Sequence, residues 1–337
     1  MPPTPPTHAI LGSVVPAACA LLATSAQAQN DCPTTPTTLL VPAYFYPLPQ
    51  SPWSRLEQQA ALGTPIVAIM NPASGPGTAP DPGYTLEAAR ARAAGVRLIA
   101  YIPTSYAARP AANVIADIQS YLAFYGAQTF TGIFWDEVSN DPAALGYYQT
   151  ITAAARSLIP SALVVANPGT QLPEALARPD VADTFVLYEN DSAGPEPFAA
   201  DQPPAWALSG PATRVAYIVY NVATDAQMQA TLSLARARNA GFVFITDDVL
   251  INPYDTLPPY WESQASLART PCCDPIDFNN DALFPDTTDI DDFLSVFSGG
   301  PCSTGTCADI DFNNDDLFPD TLDIDSLLSV FSGGPCL

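Results

Sequence analysis

Three carboxylates that follow apolar runs are the residues of this sequence best placed for acid–base chemistry. Asp136 and Glu137 end the run that begins at Thr131, and Glu189 ends a second run, Phe185–Tyr188. Buried parallel strands that end in acids deliver them to an active-site rim. Two carboxylates facing each other there could protonate a glycosidic oxygen and attack or stabilise the sugar carbon. We therefore predict Asp136, Glu137 and Glu189 as catalytic residues.

Composition excludes most other catalytic chemistry. The chain has 337 residues, no lysine, eleven arginines and a single histidine, His8, in a segment that we expect to be removed on export. Catalytic triads with histidine, Schiff bases and histidine-ligated zinc need the missing residues, so a metal-dependent hydrolase is a weaker alternative. The net charge of -23 argues against a nucleic-acid partner.

Asp136 and Glu137 are neighbours, and neighbouring side chains of a strand point to opposite faces. Only one of them should face the active site unless the chain turns at this point. The alternative role for this pair is a structural ion pair with an arginine such as Arg97 or Arg109.

Strand-like and helix-like runs alternate between Leu39 and Arg269, which predicts a (β/α)8 TIM barrel. A doubly wound open sheet is the alternative, although no glycine fingerprint for dinucleotides follows the first run. The predicted strands are Leu39–Tyr46, Pro65–Met70, Arg97–Ile102, Gly132–Asp136, Ala162–Ala166, Thr184–Tyr188, Arg214–Tyr220 and Phe242–Thr246. The clearest predicted helices are Leu86–Ala94, Val114–Tyr125, Ala143–Leu158 and Ala226–Asn239.

Polar residues follow every one of these strand-like runs, at the end of a barrel where active sites form. We predict that several of them bind substrate: Tyr46, Asn71, Tyr101, Asn167, Tyr188, Asn221 and Asp247. Tyr46, Tyr101, Trp135, Tyr188 and Trp261 could also stack on sugar rings, or they could be core residues. We expect no cofactor in the barrel.

The chain divides into four predicted parts. Residues 1–28 resemble a signal peptide that ends in a small-residue cleavage site, and a retained membrane anchor is the alternative. A Thr/Pro linker (29–38), the barrel (39–269) and an acidic C-terminal module (270–337) follow. We expect a secreted protein, extracellular or at the cell surface, with no membrane span in the mature chain.

The C-terminal module is an internal repeat with a period of 34 residues and fourteen aspartates. Both copies open like a calcium loop of the EF-hand type, with oxygen ligands at positions 1, 3 and 5. The closing acid falls at position 13 instead of 12, and Ala282 and Asp316 replace the usual glycine at position 6. The predicted calcium ligands are Asp277, Asn279, Asp281, Leu283, Asp286 and Asp289 in the first copy, and Asp311, Asn313, Asp315, Leu317, Asp320 and Asp323 in the second. A solvated acidic tail is the alternative.

Removal of Cys19 with the signal would leave six cysteines, an even number that suggests disulfides in an exported chain. Because Cys273 and Cys302 occupy the same repeat positions as Cys307 and Cys336, we predict the bonds Cys273–Cys302 and Cys307–Cys336. Cys32–Cys272 would then join the two ends of the barrel. Thiolate ligation of a metal is the alternative.

Several ordered motifs between residues 39 and 265 resemble the spherulin-4 family. They are Tyr44-Phe-Tyr-Pro47 with Trp53, the segments 69–77 and 100–106, and Gly132-Ile-Phe-Trp-Asp-Glu137. The resemblance implies a (β/α)8 barrel and hydrolysis of galactosamine-containing polysaccharides, and it maps the family's acids onto Asp136, Glu137 and Glu189. By analogy with some α-glycosidase barrels, Asp136 would be the nucleophile and Glu189 the general acid.

The pair of loop–helix repeats resembles a dockerin-like module, which implies docking to a cohesin-like or cell-surface protein. Together these features predict a secreted glycoside hydrolase with a calcium-binding docking module. The alternative is a non-catalytic carbohydrate-binding or cell-envelope protein. Sugar, linkage and stereochemical outcome stay open at this point.

Overall fold

A closed barrel of eight parallel strands forms the larger part of the protein. The computed structural model describes residues 37–269, 273–283, 285–313 and 319–333. Each strand pairs with the next along the chain, and the first closes on the last through Thr38 opposite Phe242 and Leu39 opposite Val243. The strands are β1 (Thr38–Ala43), β2 (Ile66–Met70), β3 (Arg97–Pro103), β4 (Gly132–Asp136), β5 (Leu163–Ala166), β6 (Thr184–Asp191), β7 (Val215–Tyr220) and β8 (Phe242–Ile245). The predicted TIM barrel is confirmed, and the open-sheet alternative is wrong.

The helices between these strands confirm the four predicted ones and add others. The described residues contain α1 (Pro52–Ala61), α2 (Pro82–Ala93), α3 (Ala111–Tyr125), α4 (Leu145–Leu158), α5 (Ala205–Ser209), α6 (Asp225–Ala237) and α7 (Trp261–Arg269) in the barrel region. Helices α1, α5 and α7 were not among the clearest predicted ones, because they have only 10, 5 and 9 residues. The helices of the described residues are too short or too polar to cross a bilayer.

Strand interiors are buried from both sides, as expected where helices cover a parallel sheet. Two large aromatics named above as stacking candidates belong to this core. Trp135 is fully buried and donates its indole N–H to the Thr152 hydroxyl at 3.2 Å. Trp261 is fully buried and donates to the Arg55 carbonyl at 3.2 Å. Neither ring is available to a substrate.

Two helices and two loops form a small separate core in the C-terminal module. The helices are α8 (Thr287–Phe297) and α9 (Thr321–Phe331), and they occupy the same position in the two repeats. The loops exchange equivalent backbone hydrogen bonds, from Asp274 N–H to the Phe312 carbonyl and from Ala308 N–H to the Phe278 carbonyl, both at 2.8 Å. The buried residues between them are Phe278, Phe293, Phe312 and Leu327. The acidic segment is therefore folded, and the solvated-tail alternative is wrong.

The predicted signal peptide and most of the predicted linker lie outside the described residues. The same holds for the proposed Cys32–Cys272 bond and for the calcium-ligand candidates Asp315 and Leu317.

Candidate active site

Neighbouring strands bring two of the predicted carboxylates together around one amide. Asp136 ends β4, Asn167 directly follows β5, and Glu189 lies in β6. The Asn167 Nδ2 group donates to Asp136 Oδ1 at 2.9 Å and to Glu189 Oε2 at 2.5 Å. Since one nitrogen joins both oxygens, these oxygens lie no more than about 5.4 Å apart. The side chains of Asp136, Asn167 and Glu189 therefore lie together at one place in the barrel.

Each carboxylate also accepts a short hydrogen bond from a tyrosine. Tyr101 of β3 donates to Asp136 Oδ2 at 2.6 Å, and Tyr254, from the segment after β8, donates to Glu189 Oε1 at 2.6 Å. The Asn167 side-chain oxygen Oδ1 in turn accepts the Gly169 N–H at 2.9 Å, which fixes the orientation of the amide. Both acids are therefore held in place by two side-chain donors.

Register in β6 differs from an ideal strand just before Glu189. The pairing of β6 with β7 shifts between Val186 and Tyr188, so one extra residue is accommodated there. Such a bulge changes the face to which the following side chains point. Tyr188 packs on Phe198 with ring centroids 5.0 Å apart, and the next residue, Glu189, lines the cavity with Asp136.

Burial dominates the electrostatics of this pair. Burial raises the pKa of Asp136, while hydrogen bonds from Tyr101, the Glu137 backbone and Asn167 lower it. Burial also raises the pKa of Glu189, and the charge of Asp136 raises it further, against the hydrogen bonds from Tyr254 and Asn167. Three hydrogen bonds lower the pKa of Asp136 and two lower that of Glu189, so burial and stabilising hydrogen bonds oppose each other at both acids.

Arginines do not neutralise these acids in the part of the chain that the structure describes. The ion pairs found there include none of the three predicted catalytic residues. Arg109, considered above as a partner, pairs instead with Asp117 at 2.7 Å and donates to the Pro103 carbonyl at 2.6 Å. The ion-pair alternative is therefore wrong for Arg109.

A cavity of about 360 Å³ opens above Asp136 and Glu189. Tyr44, directly after β1, and Tyr220 of β7 line one part of it. The loop after β8 supplies an apolar wall in which Ile251 is 99% exposed. The residues around it are Tyr44, Asp136, Glu189, Tyr220, Leu250, Ile251, Asn252, Pro253 and Tyr254. Such a mixture of aromatic, apolar and acidic groups suits a sugar ring, which has apolar faces and a polar edge.

Glu137 turns away from the other two acids. Its backbone lies in the left-handed region, with φ of 52°, so the chain bends sharply right after Asp136. The Glu137 carboxylate accepts the Ser105 N–H at 3.1 Å, and its carbonyl accepts from Tyr106 N–H and the Thr104 hydroxyl. Glu137 does not line the cavity, and its contacts are those of a residue that shapes the β3 and β4 loops.

Two of the seven predicted binding residues, Tyr101 and Asn167, contact the carboxylate of Asp136, and Asn167 also contacts that of Glu189. The structure does not bring the other five to the cavity lining. Tyr46 is exposed and donates to Asp81, Asn71 accepts the Gly75 N–H, Tyr188 donates to the Asp191 and Glu196 carbonyls, and Asn221 donates to Asp191. Burial raises the pKa of Asp247, which lies in the polar loop after β8.

The sequence analysis did not predict several residues that line the cavity. They are Tyr44, Tyr220, Tyr254 and the loop residues 250–253. Tyr44 had a usable signal, because it directly follows β1 and lies in a motif that carried the family resemblance. Tyr254 had none, since it follows β8 by several residues in a segment without periodicity.

The first acidic loop has several contacts of a calcium loop. The side chain of Asp277 accepts N–H groups of Asp281 and Ala282, and Asp281 accepts that of Leu283. Ala282, at the position where glycine is usual, adopts a left-handed backbone with φ of 62°. The oxygen donors fit the ligand type that calcium prefers.

Other acids of the loops have capping roles. Asp286 and Asp289 form a capping box at the start of α8, and Asp320 and Asp323 form the same box at α9. Within the described ranges, no three acidic, cysteine or histidine side chains cluster closely enough to hold a metal. The acids predicted to close each loop thus cap a helix and accept loop N–H groups.

Cysteine pairing differs from the repeat-based prediction. Cys302 is bonded to Cys307, with Cα atoms 5.8 Å apart. Since a cysteine makes one disulfide, the predicted bonds Cys273–Cys302 and Cys307–Cys336 are both wrong. The bond joins the end of the first repeat to the start of the second, across a five-residue separation, whereas the prediction assumed that each repeat closes on itself.

Comparisons with known proteins agree with the barrel. The family model for spherulation-specific family 4 matches residues 38–268. Spherulin-4 of Physarum polycephalum is 30% identical over 240 residues, which are 69% of this chain and 70% of that protein. The crystal structure of Aspergillus clavatus Sph3 in complex with GalNAc is 27% identical, with a TM-score of 0.59, and the match covers 70% of this chain and 98% of that one. The chain belongs to spherulation-specific family 4, and its barrel is of the glycoside hydrolase-like type.

Proposed function

We propose that the barrel is a glycoside hydrolase in which Asp136 and Glu189 act as the two catalytic carboxyl groups. The observation that carries this proposal is the single Asn167 amide that hydrogen-bonds both acids. It holds two acids with raised pKa values at the floor of one sugar-sized cavity. A protonated and an ionised carboxyl group side by side are what glycosidic cleavage requires.

In the first step, Glu189 transfers its proton to the glycosidic oxygen as the bond from that oxygen to the sugar carbon breaks. Asp136 forms a bond to the same carbon, which gives a covalent glycosyl ester. In the second step, the Glu189 carboxylate takes a proton from water, the water oxygen bonds to the sugar carbon, and Asp136 leaves as a carboxylate.

The short separation of the two acids supports a reaction with retention of configuration. Their bridged oxygens lie within about 5.4 Å of each other, and retaining enzymes hold their carboxyl groups about 5 to 5.5 Å apart. Inverting enzymes need a wider gap, about 6.5 to 9.5 Å, to admit a water molecule. The structure supports Asp136 as the nucleophile because more hydrogen bonds stabilise its charge.

We further propose that the substrate is an extracellular polysaccharide that contains galactosamine. The supporting observations are the family membership and the GalNAc bound to the Sph3 structure. The cavity lining adds an electrostatic argument, since its charged members are Asp136 and Glu189. Neutral or cationic sugars suit such a cavity, while sugars with carboxylate or sulfate groups would be repelled.

For the C-terminal module we propose calcium binding and docking to a cohesin-like or cell-surface protein. Asp277, Asn279 and Asp281 would hold the ion in the first loop, with matching residues in the second. Bound calcium would neutralise the loop acids and order the helix that follows. Secretion is part of the same proposal, and the Cys302–Cys307 disulfide is of a kind that persists outside the cytosol.

The test is release of reducing ends from a panel of α- and β-linked polysaccharides that includes galactosamine polymers. Wild type should release them, and Asp136→Asn and Glu189→Gln should each lose about 1,000-fold or more. Both changes preserve shape, because the neighbouring tyrosine hydroxyl can accept from the new amide. Glu196→Gln, an exposed acid outside the cavity, is the matched control.

The anomeric configuration of the first product, followed by NMR, distinguishes retention from inversion. Binding of the polysaccharides without any release by folded wild type would contradict the enzymatic proposal. That outcome would favour the non-catalytic carbohydrate-binding protein.

A further inference from the structure

Tyr44 occupies a central position that the roles of Asp136 and Glu189 do not explain. It directly follows β1 and lines the cavity above both acids. Its ring meets Tyr101 edge-on, with centroids 5.6 Å apart at 83°, and it meets Tyr254 in the same way at 5.7 Å and 86°. These are the two tyrosines that donate to the catalytic acids.

The contacts around the acids therefore form a closed ring, in which each member contacts the next. Asn167 joins the acids on one side, and Tyr44 joins their tyrosine donors on the opposite side. In order around the ring, the members are Asp136, Asn167, Glu189, Tyr254, Tyr44 and Tyr101. Tyr44 braces both tyrosines, since T-shaped aromatic pairs are favourable at these distances.

The Tyr44 hydroxyl differs from the other tyrosine hydroxyls of the cavity. Tyr254 donates to Glu189 at 2.6 Å, and Tyr220 donates to Asn190 at 3.4 Å. No residue that the structure describes accepts a hydrogen bond from the Tyr44 hydroxyl, although the residue is half-buried and lines the cavity. The hydroxyl oxygen is open to solvent in the cavity, where a sugar oxygen can replace water as the acceptor of its hydrogen.

The protonation state of Tyr44 favours a donor role. Burial raises its pKa well above the ordinary value, and the charges of Asp136 and Glu189 raise it further. The hydroxyl therefore keeps its hydrogen over the whole working range of the two carboxyl groups. A phenolate nucleophile at this position is excluded for the same reason.

We infer that Tyr44 binds the sugar placed between Asp136 and Glu189, by donating its hydroxyl hydrogen to an oxygen of that sugar. This inference rests on the proposed function of the cavity. The ring of Tyr44 and its hydroxyl have separate tasks. The ring positions the donors of the two acids, and the hydroxyl contacts substrate.

Two substitutions separate these tasks. Tyr44→Phe keeps the ring and removes the hydroxyl, whereas Tyr44→Leu removes both. Tyr46→Phe is the matched control, because it lies two residues further along the same segment and its hydroxyl contacts Asp81 outside the cavity. We would measure kcat and KM on the polysaccharide that wild type cleaves, the pH profile of kcat/KM, the melting temperature, and the Kd for GalNAc as a probe.

We expect Tyr44→Phe to weaken GalNAc binding and to lower kcat/KM, each by about 3- to 12-fold, the loss of one neutral hydrogen bond. Its pH profile and melting temperature should match those of wild type, because Tyr101, Tyr254 and Asn167 still hold the acids. Tyr44→Leu should lose more activity and shift the pH profile, because the two donors lose their brace. Tyr46→Phe should match wild type in GalNAc affinity and kcat/KM.

Tyr44→Phe values within twofold of wild type for both kcat/KM and GalNAc affinity would overturn the inference and leave Tyr44 a brace. Wild type that binds GalNAc but cleaves nothing would refute the proposed hydrolase, and the affinities would then decide the role of Tyr44. Folded wild type that neither binds GalNAc nor cleaves any polymer would overturn both.

Discussion

The barrel mouth and the C-terminal module use carboxylates in opposite ways. At the mouth, Asp136 and Glu189 are brought together from separate strands, and their side-chain donors come from residues as far apart as Tyr101 and Tyr254. In the module, acids such as Asp277 accept N–H groups four and five residues away. Long-range contacts bring the two barrel acids to a place where their pKa values change, while short-range contacts shape the loop of the module.

Burial explains why this difference matters for chemistry. Carboxyl groups within the barrel lose water, so the pKa values of Asp136 and Glu189 rise. Asp286 in the module is half-buried, and hydrogen bonds from Thr288 lower its pKa. Burial thus raises the pKa of both barrel acids, whereas hydrogen bonds lower that of Asp286 in the module. Buried Asp289 of the module follows the barrel acids, since burial raises its pKa as well.

The largest effect that would sharpen this comparison concerns Asn167. Asn167→Ala should lower kcat by about 100- to 1,000-fold, as removal of a preorganised donor does elsewhere. The Asn167 hydrogen bonds lower the pKa of both acids, so their loss should move both limbs of the pH–rate profile to higher pH. The control Asn71→Ala removes the hydrogen bond to Gly75 outside the cavity and should retain the wild-type profile.

An unshifted profile in Asn167→Ala would contradict the bridging role of the amide.

Removal of calcium should change the module and leave the barrel unchanged, and both regions can be followed in a single sample. Tryptophan fluorescence reports on the barrel alone, since Trp53, Trp135, Trp206 and Trp261 all lie within it. Chelation should reduce the helical circular dichroism signal of the module and leave tryptophan fluorescence unchanged. Calcium at about 100 times its Kd would stabilise the module by about 2.7 kcal/mol.

Asp277→Ala combined with Asp281→Ala should weaken the response to calcium, because both supply ligands of the first loop. Equal circular dichroism spectra with calcium and with chelator would refute calcium binding.

A smaller effect is expected for Glu137. It is adjacent to Asp136 in the sequence, but its side chain does not line the cavity. Glu137→Gln should lower kcat/KM by less than about tenfold, because its carboxylate accepts the Ser105 N–H and an amide oxygen can do the same. Asp136→Asn measured beside it provides the reference. Equal losses in the two variants would place Glu137 in the catalytic machinery after all.

The smallest effect concerns a carboxyl group outside the site. Burial raises the pKa of Glu87 to about 7, and hydrogen bonding to Glu57 adds to the rise. A raised pKa means that folding favours the protonated acid, so this contribution to stability is present at low pH and is lost as pH rises through about 7. The melting temperature of wild type should therefore fall between pH 5 and pH 8 more than that of Glu87→Gln.

Glu174→Gln, a change at an exposed acid, should keep the slope of wild type. Melting temperatures that change equally with pH in wild type and Glu87→Gln would contradict a raised pKa of Glu87 in the folded protein.

Prediction from sequence succeeded where the pattern is local. All eight strands and the four predicted helices are present, because alternating apolar runs reflect burial that each segment experiences by itself. Asp136 and Glu189 could be found for the same reason, as acids directly after apolar runs. Tyr254 could not be found, since its contact with Glu189 spans 65 residues and leaves no trace in its own segment.

Prediction also failed where the sequence near a residue fits two alternatives equally well. Repeat symmetry favoured bonds from Cys273 to Cys302 and from Cys307 to Cys336, yet Cys302 and Cys307 are adjacent in the fold. Adjacent acids such as Asp136 and Glu137 look equivalent in sequence. A left-handed backbone at Glu137 separates them.

The residue types and their spacing along the chain are sufficient to predict the barrel, the folded acidic repeat and the restriction of any catalytic chemistry to carboxylates and tyrosines. Composition and periodicity reflect which positions of each segment are buried and which are exposed to solvent. Only the folded chain shows that the Asn167 amide bridges Asp136 and Glu189 and that Tyr44 lies between their tyrosine donors. Hydrogen bonds and ring contacts act over a few ångströms in space, and closure of the barrel sets which distant residues come that close.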